Sequence, residues 1–128
     1  SLHGEPGAFV IPNPWDAGSA RVLASLGFKA LATTSAGHGY TLGRRDGEGI
    51  IARDETLANA RLILEAVDLP VSADLENCFA DAPEEAAETI RAAGTARVIA
   101  CDMRELHRAA GQEHGVDRVG LEPSLIEA

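Results

Sequence analysis

Residues 71–77 read VSADLEN, a segment that starts apolar and ends with two acids, Asp74 and Glu76. With Leu69 and Pro70 before it, the run 69–75 predicts a short buried strand. The two acids have two interpretations. They can be the solvated end of that strand, or they can form the rim of a metal site, because side chains two positions apart on a strand point to the same face.

Around this segment, apolar runs alternate with helical patterns along the chain. Strands are predicted at 8–12, 29–35, 69–75 and 96–102, with a candidate fifth at 116–123. Helices are predicted at 15–27, at 55–67 with Asp54 as N-cap, from Pro83 to Gly94, and at 103–111, while a polar, glycine-rich loop follows residue 35 and runs to Arg53. This alternation with wholly apolar strands favours a parallel sheet covered on both faces. A doubly wound sheet and part of a (β/α)8 barrel both satisfy it.

Composition narrows the function classes. The chain has 128 residues, enough for one domain, and its net charge of −9 argues against a nucleic-acid partner. No apolar run is long enough to span a bilayer and no secretory signal is visible, so we expect a cytoplasmic protein without a membrane partner. The two cysteines, Cys78 and Cys101, have no metal-type spacing, and reduced thiols are expected. The loop GHGYTLG (37–43) does not favour nucleotide binding, because its third glycine falls at the wrong spacing and no helix follows directly.

Three segments in order give a more specific signal. They are IPNPWDAGSARVLASLGFKALATTSAG (11–37), LGRRDGE (42–48) and LPVSADLENCFAD (69–81). Together they closely resemble the isocitrate lyase/phosphoenolpyruvate mutase superfamily, in its phosphonomutase-like branch. The resemblance covers residues 8–92 with loop spacings preserved. It implies a (β/α)8 (TIM) barrel that binds Mg2+ together with a 2-oxo acid or its enolate.

The resemblance favours the metal interpretation of the two acids. In the family, an Asp at the end of strand three holds Mg2+, directly or through water, and a second acid two residues later assists. Asp74 and Glu76 occupy those positions. Carboxylates are hard ligands suited to Mg2+, which keeps several waters and takes only one or two acids. A bound Mg2+ would act as a Lewis acid and stabilise enolate charge.

The segment TTSAG (33–37) resembles the family's substrate cradle. There, the Ser and the next two backbone amides receive the substrate carboxylate, which maps onto Ser35, Ala36 and Gly37. Oriented N–H groups at a tight turn form an anion site, and small residues let a ligand approach. We therefore expect Ser35 to be both a substrate-binding and a catalytic residue.

A second catalytic candidate lies in the glycine-rich loop. Asp46 follows Ser35 by eleven positions, like an Asp on the gating loop of the family, although an exposed turn acid would have the same surroundings. His38 and Tyr40 share this loop and are expected to line the pocket. In the first segment, Asp16 is expected to cap the first helix, a structural role.

Three departures from the family pattern matter. The family usually has Gly at positions 78 and 80, where this chain has Cys78 and Ala80. The family's strand-four Glu-Asp pair is reduced to Asp102, which lies 28 positions after Asp74 and is expected to complete the metal site; an alternative register makes Arg97 the substrate arginine instead. The K-[KR]-C-G loop of the lyase branch is absent, which disfavours isocitrate or methylisocitrate cleavage.

Length raises a second hypothesis. A (β/α)8 barrel takes about 250 residues, so residues 1–128 are expected to form a single, partial barrel domain, about its first half, in which 93–128 depart from the family pattern. The first hypothesis is a Mg2+-dependent lyase or mutase acting on a small 2-oxo acid or phosphonate through an enolate. The alternative is a non-catalytic half-barrel that folds or oligomerises without turnover. Because open sheet edges promote pairing between chains, a homo-oligomer is expected.

Overall fold

A computed structural model of the chain describes residues 2–4 and 6–93. After a 3-10 turn at Leu2–Gly4, the order is α1 (Ala17–Ser25), β1 (Leu31–Ala32), α2 (Ser35–Thr41), α3 (Arg53–Ala66), β2 (Val71–Ser72) and α4 (Pro83–Ala93). The two strands are parallel neighbours, with Leu31 opposite Val71. The predicted parallel pairing is therefore confirmed for the strands at 29–35 and 69–75, although each regular strand is only two residues long.

The core consists of two apolar clusters that share α3. The first joins α1 to the strands, and its buried members are Ala20, Leu31, Ile63 and Val71. The second lies between α3, the segment after β2, and α4, and its buried members are Leu57, Ala60, Ala73, Leu75, Cys78, Ala80, Ala86 and Ala93. Because α3 contributes to both clusters, it fixes the strands relative to the helices on either side.

Of the two predicted N-caps, one is confirmed and the other is wrong. Asp16 caps α1 as predicted: its Oδ1 accepts from the Ser19 amide at 2.7 Å, and Ser19 Oγ accepts from the Asp16 amide at 3.1 Å. The prediction of Asp54 as the cap of α3 is wrong. That helix starts at Arg53, and the Glu55 carboxylate reaches back to accept from the Ala52 amide at 2.9 Å. Glu55 occupies the third helical position, from which a side chain can bond the amide that precedes the helix.

Two other expectations differ from the structure. Residues 8–12 do not form a regular strand, although the Pro12 carbonyl accepts from the Ala32 amide at 3.1 Å and so keeps this segment beside β1. The loop predicted after residue 35 begins with α2, because the Thr34 side chain provides an N-cap. The elements predicted at 96–102, 103–111 and 116–123 lie outside the described residues.

The outer face of α1 carries apolar side chains. Val22 and Leu26 are 59% and 68% exposed. A groove of about 430 Å³ runs along this face between Trp15 and Leu23. None of the helices within residues 2–4 and 6–93 has the length and apolarity needed to cross a bilayer.

Candidate functional site at the strand ends

The carboxyl ends of β1 and β2 are joined by a chain of hydrogen bonds. The Thr33 amide donates to the Ser72 carbonyl at 2.8 Å and continues the parallel pairing. The Asp74 amide donates to Thr33 Oγ1 at 2.8 Å, and the Ser35 amide donates to Asp74 Oδ2 at 3.1 Å. These bonds connect residues about forty positions apart in sequence, so Asp74 and Ser35, both predicted as site residues, lie side by side.

The orientation of the Asp74 carboxylate is fixed at both oxygens. While Oδ2 accepts from Ser35, Oδ1 accepts from the Glu76 amide at 3.2 Å. The carboxylate is partly buried and lies at the start of α2. A carboxylate oxygen has two lone pairs, so each oxygen keeps one for a further partner such as water or a cation.

The backbone after Asp74 does not continue the strand. Glu76, Cys78 and Phe79 have φ of 51°, 61° and 56°, in the left-handed region. Asp74 and Glu76 therefore do not share a strand face, contrary to the prediction, because the strand ends at Ser72 and the left-handed Glu76 redirects the chain. The two acids are neighbours through a turn instead.

This turn accounts for the glycine that the family has at position 78. The Cys78 amide donates to the Leu75 carbonyl at 2.8 Å, and the Phe79 amide donates to Asn77 Oδ1 at 3.0 Å. A side chain at a left-handed position costs on the order of 1 kcal/mol relative to glycine. The Cys78 side chain is fully buried at this turn.

The donor set at this turn matches the chemistry of a hard cation. Within residues 2–4 and 6–93, no group of three or more His, Cys, Asp and Glu side chains is arranged to hold a metal. Mg2+ needs only one or two carboxylates, with water and substrate oxygens completing its coordination. Asp74 and Glu76 supply that number of oxygen donors, so the residues present fit Mg2+. Asp102, the third predicted ligand, lies outside the described residues.

The predicted cradle residues form the first turn of α2. Ser35, Ala36 and Gly37 are half-buried, and two of their amides already have partners in the structure. The Ser35 amide donates to Asp74, and the Gly37 amide donates to Thr34 Oγ1 at 3.2 Å. A substrate carboxylate at these two amides would therefore have to share them with side-chain oxygens.

Gly37 is required by packing. A Cβ at this position would lie 2.7 Å from Thr34 Cγ2 and 3.0 Å from Trp15 Cβ. The first distance is shorter than any ordinary carbon–carbon contact. The absence of a side chain at Gly37 therefore lets α2 start against Trp15, beside Asp74.

Asp46 lies apart from this cluster in the described structure. Its side chain is exposed in the segment between α2 and α3, and within the described residues it makes no hydrogen bond or ion pair. Tyr40, expected to line the pocket, is 67% exposed. The strand-end residues and Asp46 are therefore not brought together by direct contacts within residues 2–4 and 6–93.

His38 is buried in α2, 9% exposed, and neither ring nitrogen has a hydrogen-bond partner within the described part of the chain. Burial lowers the pKa of its imidazole, and the nearby Arg44 acts in the same direction, while Glu55 partly opposes them. His38 is thus a buried residue of α2 near Arg44 and Glu55, which flank the segment that carries Asp46. The expectation that it lines the pocket is not supported by this burial.

Two hydroxyl groups at this site were not predicted from the sequence. Thr33 is 7% exposed and accepts from the Asp74 amide, while Thr34 caps α2. The available signal was the pair of threonines directly before Ser35, because hydroxyl side chains are favoured where a strand passes into a helix. Thr33 thus holds the backbone of Asp74, and Thr34 holds the first turn of α2, which contains Ser35.

Comparison with known proteins identifies the family of the chain. The family model described as phosphoenolpyruvate phosphomutase matches residues 1–127. The chain belongs to the phosphoenolpyruvate phosphomutase family. That places it in the phosphoenolpyruvate mutase/isocitrate lyase superfamily and confirms the resemblance noted in its sequence.

Individual relatives show how much of the fold the chain spans. An uncharacterized protein of Mycobacterium tuberculosis is 33% identical over 101 residues, 76% of this chain and 37% of that protein. An inferred lyase/mutase from Burkholderia cenocepacia J2315 is 59% identical with a TM-score of 0.68, covering 72% of this chain and 32% of that one. The superfamily member 2,3-dimethylmalate lyase is 32% identical with a TM-score of 0.69, covering 78% of this chain and 36% of that one. The chain therefore spans about a third of the length of these relatives.

One further solved relative bears on the ligand chemistry. Oxaloacetate acetylhydrolase, solved in complex with its product oxalate, is 33% identical in sequence to this chain. The TM-score is 0.58, and the match covers 66% of this chain and 31% of that chain. That relative holds oxalate, a small dicarboxylate. Lyases and mutases are both represented among the relatives.

Proposed function

We propose that this chain carries the strand-end part of the active site of a Mg2+-dependent lyase or mutase. The substrate would be a small 2-oxo acid or phosphonate, and a C–C or P–C bond would be made or broken through an enolate. The observation that supports this most is the hydrogen bond from the Ser35 amide to Asp74 Oδ2, which holds a carboxylate against the predicted substrate cradle.

Each predicted residue has a role in this proposal. Asp74 and Glu76, with Asp102, would hold Mg2+, which supplies Lewis-acid stabilisation of negative charge on the substrate oxygens. The first turn of α2, formed by Ser35, Ala36 and Gly37, would bind the substrate carboxylate through amides and the Ser35 hydroxyl.

The two catalytic candidates act at different places. Ser35 lies at the fixed strand end, where it would orient the substrate, while Asp46 lies in an exposed segment from which it would exchange a proton with the substrate or shield it from water. A cytoplasmic location and a homo-oligomeric state remain predictions from the sequence. The alternative, a non-catalytic half-barrel, keeps the fold and lacks turnover.

Oxalate binding tests the proposal, because oxalate mimics the enolate of pyruvate. Titration calorimetry should detect oxalate only when Mg2+ is present, since metal and cradle form one site. Asp74→Asn keeps the size of the side chain and one carbonyl acceptor but removes the charge, and should weaken Mg2+ binding at least tenfold. Asp54→Asn, which removes an exposed carboxylate from the first turn of α3, is the matched control and should leave binding unchanged.

The outcomes separate the two hypotheses. Mg2+-dependent oxalate binding that Asp74→Asn abolishes supports the active-site proposal. Absence of oxalate binding at any Mg2+ concentration supports the non-catalytic half-barrel. Equally strong oxalate binding without metal contradicts a shared site.

A further inference from the structure

The segment between α2 and α3 carries Asp46, and an ion pair connects the two ends of this segment. Arg44 Nη1 lies 2.6 Å from Glu55 Oε2, which connects Arg44, the third residue after α2, to the first turn of α3. Each partner shifts the other's pKa in the direction that favours charge: the hydrogen bond raises the pKa of Arg44 and lowers the pKa of Glu55. Both side chains are about one-third exposed.

Both partners also bond the backbone at the C-terminal end of the segment. Arg44 Nη1 donates to the Ile50 carbonyl at 3.3 Å, and Glu55 Oε2 accepts from the Ala52 amide at 2.9 Å. The Arg44 amide donates to the Gly39 carbonyl at 2.9 Å, which fixes this residue to α2. The two ends of the segment are therefore joined by the same pair of side chains.

Packing supports the same junction. Ile51 is 8% exposed, and a Cβ on Gly39 would lie 3.0 Å from Ile51 Cδ1. Between the two ends, Gly47 and Gly49 adopt left-handed φ of 76° and 63°, which glycine takes without strain. Residues 45–49 thus form an exposed loop, and the contacts at its two ends determine where it lies.

We propose that Arg44 and Glu55 are positioning residues that fix the base of the loop 45–49 and so place Asp46 for its role at the strand-end site. The part that concerns Asp46 acting on substrate rests on the function proposed above. The junction itself rests only on the contacts of the two side chains. Because the ion pair joins Arg44, at one end of the loop, to Glu55 beyond the other end, losing either partner weakens the connection between the two ends.

Trypsin cleavage after Arg45 in the full chain tests the junction. Glu55→Gln removes the charge while keeping the length of the side chain, and should speed cleavage after Arg45 by about threefold, the scale of a partly exposed ion pair. The matched control is Asp54→Asn, which removes the neighbouring carboxylate, whose only described ion pair is a 3.6 Å contact with Arg53. Cleavage after Arg61, within α3, reports global unfolding.

The expected result is faster cleavage after Arg45 in Glu55→Gln, with unchanged rates after Arg61 and in Asp54→Asn. Equal rates after Arg45 in the two variants, or an equal rise at Arg61, would overturn the proposal. Arg44→Met should reproduce the faster cleavage and Arg44→Lys should recover part of the protection, because a lysine keeps the charge. Identical rates for Met and Lys would count against the ion pair.

A second arm adds Mg2+ and oxalate and separates this proposal from the proposed function. If Asp46 closes over the site, the ligands should slow cleavage after Arg45 in the wild-type chain and slow it less in Glu55→Gln. If the ligands change neither rate while Glu55→Gln still speeds cleavage, the junction stands and the role of Asp46 is wrong. If the ligands protect both proteins equally, the loop reaches the site without the ion pair and the positioning role is wrong.

Discussion

The strand-end cluster and the Asp46 loop both contain predicted catalytic residues, but they are held in different ways. Thr33, Ser35 and Asp74 are joined by hydrogen bonds between residues about forty positions apart. The Asp46 loop is held by contacts within residues 39–55, and its only described internal ion pair is a 3.7 Å contact between Arg45 and Glu48. The geometry of the strand-end cluster therefore depends on contacts between distant parts of the chain. The geometry of the loop depends on contacts between residues close in sequence.

The difference indicates how the two regions can respond to a ligand. Buried hydrogen bonds between distant elements break only when the elements separate, so the cluster should keep its geometry with or without ligand. An exposed loop with local contacts has a low free energy of opening and can move on its own. Substitutions in the cluster should accordingly change global stability, while those in the loop should change only local exposure.

Gly37→Ala is expected to have the largest effect on the free energy of unfolding. Its Cβ would meet Thr34 Cγ2 at 2.7 Å and Trp15 Cβ at 3.0 Å, so the start of α2 must shift. Overpacking of this kind typically costs about 1–3 kcal/mol. Urea unfolding with an unchanged m-value would measure the loss.

Gly18→Ala is the matched control in α1. There the added Cβ would meet only Asp16 Oδ1, at 3.5 Å, an ordinary contact. Alanine is the better helix former, so this change should be neutral or stabilise by up to about 1 kcal/mol. If both variants had the same stability, Gly37 would not be confined by packing and the cluster would be as adaptable as the loop.

The contrast also explains how much the sequence could predict. The parallel pairing of the strands follows from the alternation of apolar runs with helical patterns. The cap at Asp16 and the site roles of Ser35 and Asp74 follow from the family resemblance, and the rule that parallel strands end at one edge explains why Ser35 and Asp74 lie close together. The left-handed turn at Glu76 could not be predicted, because no glycine marks it. Likewise α2 was not predicted, because glycines normally indicate a loop. The only sequence signal for this helix is the N-cap residue Thr34.

Thr33→Val should have a smaller effect. Valine keeps the shape but removes the oxygen that accepts from the Asp74 amide, leaving a buried donor unsatisfied at a cost of about 1–2 kcal/mol. Thr33→Ser keeps the oxygen and should retain most of this stability. In the loop, Glu48→Gln should change the unfolding free energy by less than about 0.5 kcal/mol. A loss in Glu48→Gln as large as in Thr33→Val would contradict the distinction between the regions.

His38→Leu should have the smallest effect at neutral pH and a specific one in acid. Neither ring nitrogen has a partner within the described residues, so leucine breaks no hydrogen bond there. Burial lowers the pKa of His38 below the ordinary value of about 6.5, with Arg44 adding to the shift and Glu55 opposing it. The unfolded chain therefore binds the proton more readily, and the stability present above the ordinary value is lost as pH falls through the lowered folded pKa.

Urea unfolding at pH about 8 and about 5.5 isolates this contribution, because ordinary carboxylates titrate below that range. The wild-type chain should lose more stability over the interval than His38→Leu, and the two should be nearly equal at the higher pH. The other three histidines are present in both proteins and cancel in the comparison. If the two chains lost equal stability in acid, His38 would titrate normally, and the core below the Asp46 loop would be as open to water as the loop itself.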